Sequence, residues 1–476
     1  MNLRRLFLFA LATLLLEAPA WAGTAFQHII IVIQENRTPD NLFYGLCVDP
    51  NACAVPPASG QYDIQTSAWL DKTSETGTTD PQPIPLGIGY GTAHGHPAFL
   101  AMCDFNGNGA CAMDGAANVH CNSHTQPCPP KAAFGYVDNS DGSVQPYLDL
   151  VHAYGWGNYM FQTNQGPSLP AHQFLFGATS APSADDDHAG TFASENGGKS
   201  DTSGTGCAAR KGTSVPLINA DGQEFTTVFP CFEHQTLSDL LDEQAVSWRY
   251  YGASANSNWM APNAISHICV AHGRKCTGSE WSSNVDFIPS NVLSDISSKC
   301  ALRGVSWVTP DGANSDHPGN VQTTGGPSWV ASIVNAVGSS SCKNPDGSSY
   351  WDTTAIIITW DDWGGWYDHE APTIEAFPQG GYQMGFRVPL IVVSAQTPAG
   401  FISNSPEDFG SIGRFIEQNF AISEGALTFA DARSIGDLTE FFTSGAPVRK
   451  FQPVRADLSA ADFLNAKPSH IPVDDD

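Results

Sequence analysis

The sequence predicts an α/β fold, an α/β/α sandwich with a mostly parallel central sheet, and three observations predict it. Short β-branched runs are continuously apolar instead of alternating, as in His28 to Ile33, Val305 to Thr309 and Thr354 to Trp360; such runs suit strands buried on both faces. Each is followed at once by polar or acidic residues. Between them lie segments with apolar residues at helical spacing, and strands alternating with amphipathic helices build layered sandwiches.

In chain order, Arg4 and Arg5 precede the apolar run Leu6 to Leu16, and Ala20-Trp21-Ala22 offers small residues for cleavage. Residues 1–22 are therefore expected to be a signal peptide, and the protein to be secreted or periplasmic. The apolar run is shorter than the roughly 20 residues of a membrane span. After the first strand run come a helix bearing Tyr147, Leu148, Leu150 and Val151, and another bearing Leu237, Leu240 and Leu241 behind a Thr236 N-cap. Val305 to Thr309 leads to Asp311, then to a helix with Trp329, Ile333, Val334 and Val337. Thr354 to Trp360 leads to Asp361 and Asp362, and Ile412, Phe415, Ile416 and Phe420 mark a last helix. The Gly-rich and Cys-rich stretches 47–135 and 181–232 fit no regular pattern and are expected to be loops that shape the site. No Pro-rich or Ser-rich linker divides the chain, so residues 23–476 are expected to form one domain.

Twelve cysteines, an even number, all follow the expected cleavage point, and no C-x-x-C pair occurs. In an oxidising compartment they read as disulfide staples in place of metal thiolates. Cys47 with Cys53, Cys103 with Cys111, Cys121 with Cys128 and Cys269 with Cys276 are near neighbours; Cys207 with Cys231 and Cys300 with Cys342 would complete a set by adjacency. The formal net charge of −27 repels a polyanion, which argues against a nucleic acid substrate.

The chemistry-bearing residues follow the strands. Glu35 and Asn36 come after the first, Asp361 and Asp362 after a later one. In a parallel sheet these carboxyl ends share one edge, where ligands gather. Three carboxylates and an amide oxygen are what a hard divalent cation requires; taken singly, each pair is also what a cap or turn uses. Ser168, between two prolines in Gly166-Pro167-Ser168-Leu169-Pro170, offers a hydroxyl that needs a base or metal to become nucleophilic. His94, His96, His267 and His317 can contact phosphoryl oxygens or carry protons, and His369 can brace the loop after Asp361 and Asp362. No H-E-x-x-H or G-x-S-x-G motif occurs. The run Ala193 to Ser200 imitates a P-loop, but Ala193 replaces the first glycine, so a flexible loop is expected there.

Taken together, Gln34-Glu35-Asn36-Arg37-Thr38, Gly166-Pro167-Ser168-Leu169-Pro170, Ser315-Asp316-His317-Pro318, Trp360 to His369 and Gly385-Phe386-Arg387-Val388-Pro389-Leu390 resemble, in the same order, the motifs of the bacterial phosphoesterase family. That family includes non-haemolytic phospholipases C and a secreted acid phosphatase. The resemblance runs from about residue 27 to about residue 443. It implies an alkaline-phosphatase-like fold with one divalent metal cation held by Glu35, Asn36, Asp361 and Asp362 together with Ser168, the nucleophile. Some members carry Asp then Glu where this chain has Asp361 and Asp362. The family's phosphate-contacting histidines map onto His94, His267 and His317. The implied activity is phosphoester hydrolysis through a phosphoserine, on phospholipids or on small phosphomonoesters. No obligate protein partner is implied, and membrane contact is at most peripheral, through substrate. The alternative is a catalytically silent phosphoester-binding protein on the same fold. Trp351, Trp360, Trp363, Trp366 and Tyr367 are expected either in the core or as an apolar wall of the site.

Overall fold

The computed structural model describes residues 26–473, apart from 108, 199–202, 374–383, 424, 428–433, 444–446, 468, 470 and 472. The expected signal peptide lies outside the described residues. The central sheet has eight strands: β1 (His28–Gln34), β2 (Gly155–Phe161), β3 (Trp248–Tyr251), β4 (Val285–Asp286), β5 (Val305–Val308), β6 (Thr354–Trp360), β7 (Leu390–Ser394) and β8 (Phe401–Asp408). Their order is β4-β3-β5-β1-β6-β7-β2-β8. Only β7 runs against its neighbours β6 and β2; the other pairings are parallel. The mostly parallel sheet is thus present, and every residue of β1 and β6 is buried, as continuous apolar runs require.

Helices cover both faces. On one side lie α1 (Gln145–Ala153) and α5 (Gly326–Ser339); on the other lie α2 (Ser168–Gly177), α3 (Leu237–Glu243) and α6 (Phe409–Asn419), with α4 (Ser279–Asn284) toward the β4 edge. The alternation of β1 assigns the layers. Gln34 donates its amide to Tyr147 Oη on α1 and to Gly326 O at the start of α5. Ile31, on the opposite face, is in register with Trp307, whose indole N–H donates to Leu175 O on α2 at 2.9 Å. Helix ends are set locally: Thr236 caps α3 in a capping box with Asp239, and Asp408 does the same for α6 with Ser411.

All twelve cysteines pair as adjacency suggested. The two long stretches are less irregular than expected. The first contains a helix at His96–Cys103 and its own apolar cluster, in which Trp69, Phe99 and Phe134 pack with Trp363, Tyr367 and Phe386. The second holds a three-stranded antiparallel sheet of Phe192–Ala193, Val215–Ile218 and Glu224–Val228. These pieces are too short to show a period; disulfides and local packing hold them. Trp351, Trp360, Trp363, Trp366 and Tyr367 are all buried, so they are core and form no exposed wall.

Candidate active site and metal centre

The register of β1 on β6 pairs Gln34 with Trp360. The next residues, Glu35 and Asp361, therefore leave the sheet side by side at its carboxyl edge, and Asp361 N donates to Gln34 O at 2.9 Å. Asn36 then adopts a left-handed conformation with φ 61°, which Asn tolerates better than most residues. Its N–H donates to Asp361 Oδ1 at 3.2 Å, and Arg37 N donates to Asp362 O at 3.0 Å. On the facing loop Gly364 has φ +64°, and a Cβ there would lie 2.4 Å from Asn36 O. Only glycine allows that approach.

Ser168 is the first residue of α2, where unpaired amides and the helix dipole favour negative charge. His172 lies one turn on and shares its face. Its Nε2 is 3.2 Å from Glu35 Oε1 and 3.7 Å from Asp361 Oδ2, which docks the start of α2 onto the two strand ends. His172 Nδ1 is 3.2 Å from Tyr250 Oη, and Tyr250 gives its own proton to Trp259 O at 2.7 Å. Nδ1 must therefore be the donor to Tyr250. Nε2 then faces two carboxylates, a position that needs either a proton on Nε2 or a cation between the groups.

Donor atoms of Glu35, His172 and Asp361 all lie within 4.8 Å of one another. Asn36 Oδ1, Asp361 Oδ2 and Ser168 Oγ are buried with no hydrogen-bond partner among the described residues. Each such oxygen costs about 1–3 kcal/mol if left unpaired, and oxygens joined by an imidazole are a donor set for a divalent cation. The residues present thus fit a metal. Asp362, the remaining expected ligand, uses Oδ1 to accept Gly364 N at 2.7 Å and stands outside the mutually close group of Glu35, His172 and Asp361; its Oδ2 is buried. His172 lies beyond the Gly166–Pro170 motif, and its one signal in the sequence, a spacing of four from Ser168, places the two on one helix face without saying what that face meets.

His94 Nδ1 donates to Thr92 O at 2.9 Å, and its Nε2 lies 3.0 Å from Asn36 Nδ2. His317 sits beside it, with ring centroids 6.1 Å apart, and 5.9 Å from Trp259. His317 Nδ1 donates to Pro318 O at 2.5 Å, so Nε2 is the nitrogen on which a proton can be exchanged. The neighbouring Asp316 is fully buried; burial pushes its carboxyl up to about 7 although Tyr147 and Arg37 oppose the shift. His96 Nδ1 donates to Gln165 O and so steadies the lead-in to Ser168; burial pushes its pKa down.

The imitation P-loop is not a loose loop. Glu195 Oε1 accepts His96 N at 2.6 Å, Asn196 Oδ1 accepts Leu169 N at 2.9 Å, and Gly197 N donates to Asn258 Oδ1. Asn196 thus holds the first turn of α2 and Glu195 that of the His96–Cys103 helix; Lys199 and Ser200 lie outside the described residues.

His267 is not brought to this site. Its Nδ1 is 2.8 Å from Glu233 Oε1 and its Nε2 3.1 Å from Asp239 Oδ1. Hydrogen bonding to Asp239, reinforced by Glu233, holds its pKa at about 9. The adjoining His234 ring lies 3.2 Å from the Cβ position of Gly177, at the last residue of α2. A ten-residue helix separates its ends by about 14 Å, so Glu233 and Asp239 hold His267 away from Ser168.

A buried charge network braces the loop after Asp361 and Asp362. Arg387 donates to both oxygens of Asp368 at 2.8 and 3.1 Å, and to Asp63 at 3.2 Å. His369 lies between Asp40 and Asp63 at 2.8 and 3.1 Å. Burial opposes its charge, but the two carboxylates outweigh it and hold its pKa at about 10. His369 thus has the bracing role expected of it.

A sequence profile of the Phosphoesterase family matches residues 26–423. A non-hemolytic phospholipase C of Pseudomonas aeruginosa is 24% identical over 94% of this chain and 61% of that protein. A non-hemolytic phospholipase C of Burkholderia pseudomallei is 30% identical over 50% of this chain and 40% of its own length. A hemolytic phospholipase C of Pseudomonas aeruginosa is 23% identical over 87% of this chain and 56% of its own length. The alignments thus span roughly two to three fifths of these relatives' lengths. A protein in the alkaline phosphatase superfamily from Vibrio parahaemolyticus is 12% identical with a TM-score of 0.35, covering 62% of this chain and 64% of that one; so slight a likeness carries no argument. The profile match takes in β1, Ser168, His172 and the Asp361–Asp362 turn, every piece of the geometry above, and on it the chain belongs to the phosphoesterase family.

Proposed function

We propose that this protein is an exported, metal-dependent phosphoester hydrolase with Ser168 as nucleophile. The observation that carries the reading is the buried Ser168 Oγ, without a hydrogen-bond partner among the described residues, on the helix whose next turn lays His172 against Glu35 and Asp361. An anionic phosphoester cannot approach those carboxylates unless a positive charge intervenes. A divalent cation held by Glu35, Asn36, Asp361 and His172 would, when bound, neutralise phosphoryl charge and lower the pKa of the Ser168 hydroxyl. Asp362 would hold the turn that positions Asp361.

Ser168 as alkoxide bonds to phosphorus while the ester oxygen leaves. His317 gives that oxygen a proton from Nε2, with His94 beside it orienting the Asn36 amide. Water then attacks the phosphoserine, returning a proton to His317 and freeing Ser168. Asn196, accepting from Leu169 N, keeps the nucleophile's helix in place.

For the substrate we favour a phospholipid cleaved in the phospholipase C manner, since the relatives named above are phospholipases C. One observation favours a second reading, small phosphomonoesters: Glu35, Asn36, Ser168 and Asp361 are 0% exposed, an enclosure that suits a slim phosphate end group. Export rests on Arg4, Arg5 and the short apolar run behind them; among the described residues no helix is long and apolar enough to cross a membrane.

The test is turnover of phosphatidylcholine and p-nitrophenyl phosphate by purified protein, with and without chelator, for wild type and Ser168→Ala. Wild-type activity on at least one substrate should vanish with chelator, and the variant should lose about a thousandfold or more. Near wild-type turnover by Ser168→Ala overturns the nucleophile. Absence of turnover on both substrates favours the silent binding protein.

A further inference from the structure

The pair that captures His267 belongs to a larger group at the far end of α2. Asp239 stands in the first turn of α3, and Glu280 in the first turn of α4. His267 lies on the connection between those helices, two residues before the Cys269–Cys276 staple of the hairpin Val270–His272 and Lys275–Thr277. One donor atom from each of Asp239, His267 and Glu280 lies within 4.8 Å of the others.

We propose that Asp239, His267 and Glu280 form a second divalent-cation site, separate from the catalytic centre, that takes a zinc-class transition metal and ties α3, α4 and the stapled hairpin together. Three observations carry it. The first is the donor set itself, one imidazole nitrogen and two carboxylates, three protein ligands of the kind zinc accepts alongside a water. The second is what lies behind the imidazole. Glu233 Oε1 holds Nδ1 at 2.8 Å and is itself held by Ser266 Oγ. A carboxylate on the outer nitrogen fixes the ring so that Nε2 is the ligating atom, an arrangement typical of metal-bound histidines. The third is Glu280 Oε2, an oxygen shielded from solvent that has no hydrogen-bond partner among the described residues.

Charge points the same way. Asp242 adds its field to that of Asp239 at Glu280, and Glu233 lies behind the imidazole, so carboxylates outnumber the one imidazole of the group. A bound cation would relieve that excess. The group is also reachable: His267 and Asp239 side chains are 29% and 24% exposed, unlike the enclosed centre at Ser168.

The experiment is titration of chelator-stripped, full-length protein with zinc chloride, followed by diffraction at the zinc absorption edge. An anomalous peak about 2.0–2.1 Å from His267 Nε2 is expected at micromolar zinc. Glu280→Gln should weaken binding there by about tenfold or more and abolish that site's share of the zinc-induced rise in Tm. Glu35→Gln should leave both intact, which separates this site from the catalytic one. The proposal is overturned if no peak stands beside His267, if one appears only at millimolar zinc, or if Glu280→Gln binds there as wild type does.

Discussion

Asn36 Nδ2 lies 3.0 Å from His94 Nε2, and because Nδ1 of that ring donates to Thr92 O, Nε2 must accept. The amide is thereby turned so that Oδ1 is presented away from His94, buried and without a partner among the described residues. One hydrogen bond thus sets the direction in which the Asn36 oxygen points, the oxygen that the proposed cation would use.

His94→Ala should therefore do two things at once. The freed Asn36 amide should weaken cation binding, and kcat/KM should fall with it by about 10–100-fold. Steady-state kinetics with a p-nitrophenyl phosphate, alongside a metal titration of the same preparation, checks both; a kinetic loss with unchanged metal affinity would break the link.

His172→Ala should reduce divalent-cation affinity by at least about tenfold. Tyr250→Phe, which keeps the imidazole and removes only the Oη it contacts at 3.2 Å, should cost stability of roughly 1 kcal/mol with a smaller effect on affinity. Calorimetric titration of both variants separates a ligand from a packed core histidine, which would show the reverse ranking.

Gly364→Ala should destabilise the fold by roughly 2–3 kcal/mol, since it places a side chain at positive φ and against the Asn36 carbonyl. The denaturant midpoint should fall by the corresponding amount. A midpoint equal to wild type would show that the Asp361–Asp362 turn moves freely.

Stability should decline on the alkaline side. His369 is raised from 6.5 to about 10 in the folded chain, and burial raises Glu407 from 4.5 to about 8. For both, the stabilising proton is fully present below the unfolded value and lost as pH rises through the folded one. The Glu407 contribution therefore fades between about pH 4.5 and 8, that of His369 between about 6.5 and 10. Tm should fall from pH 7 to 10, and Glu407→Gln should flatten the part below pH 8. A Tm that is level or rising over this range would contradict the assignment.

Much of this was readable in the residues. β1, β5 and β6 were visible because strands buried on both faces must be continuously apolar. β2 was not, since Gly155, Gly157 and Asn158 interrupt any pattern, and β8, at the sheet edge, carries Ser405, Pro406, Glu407 and Asp408. Glu35, Asn36, Ser168 and Asp361 stood out as polar residues at strand ends or between prolines. His172 and Asn196 acquire meaning only from the register that lays α2 across β1 and β6. The fate of His267 depended on Glu233 and Asp239, a local electrostatic competition that a motif cannot register.

The centre draws on residues 35, 168 and 361, positions brought together only when β1 has found β6 and α2 has closed over both. Pairings so distant in sequence form slowly, so a half-renatured chain should still lack the placing of Ser168 against those carboxylates. During refolding, recovery of turnover should mark the last event, after the bulk of secondary structure has returned.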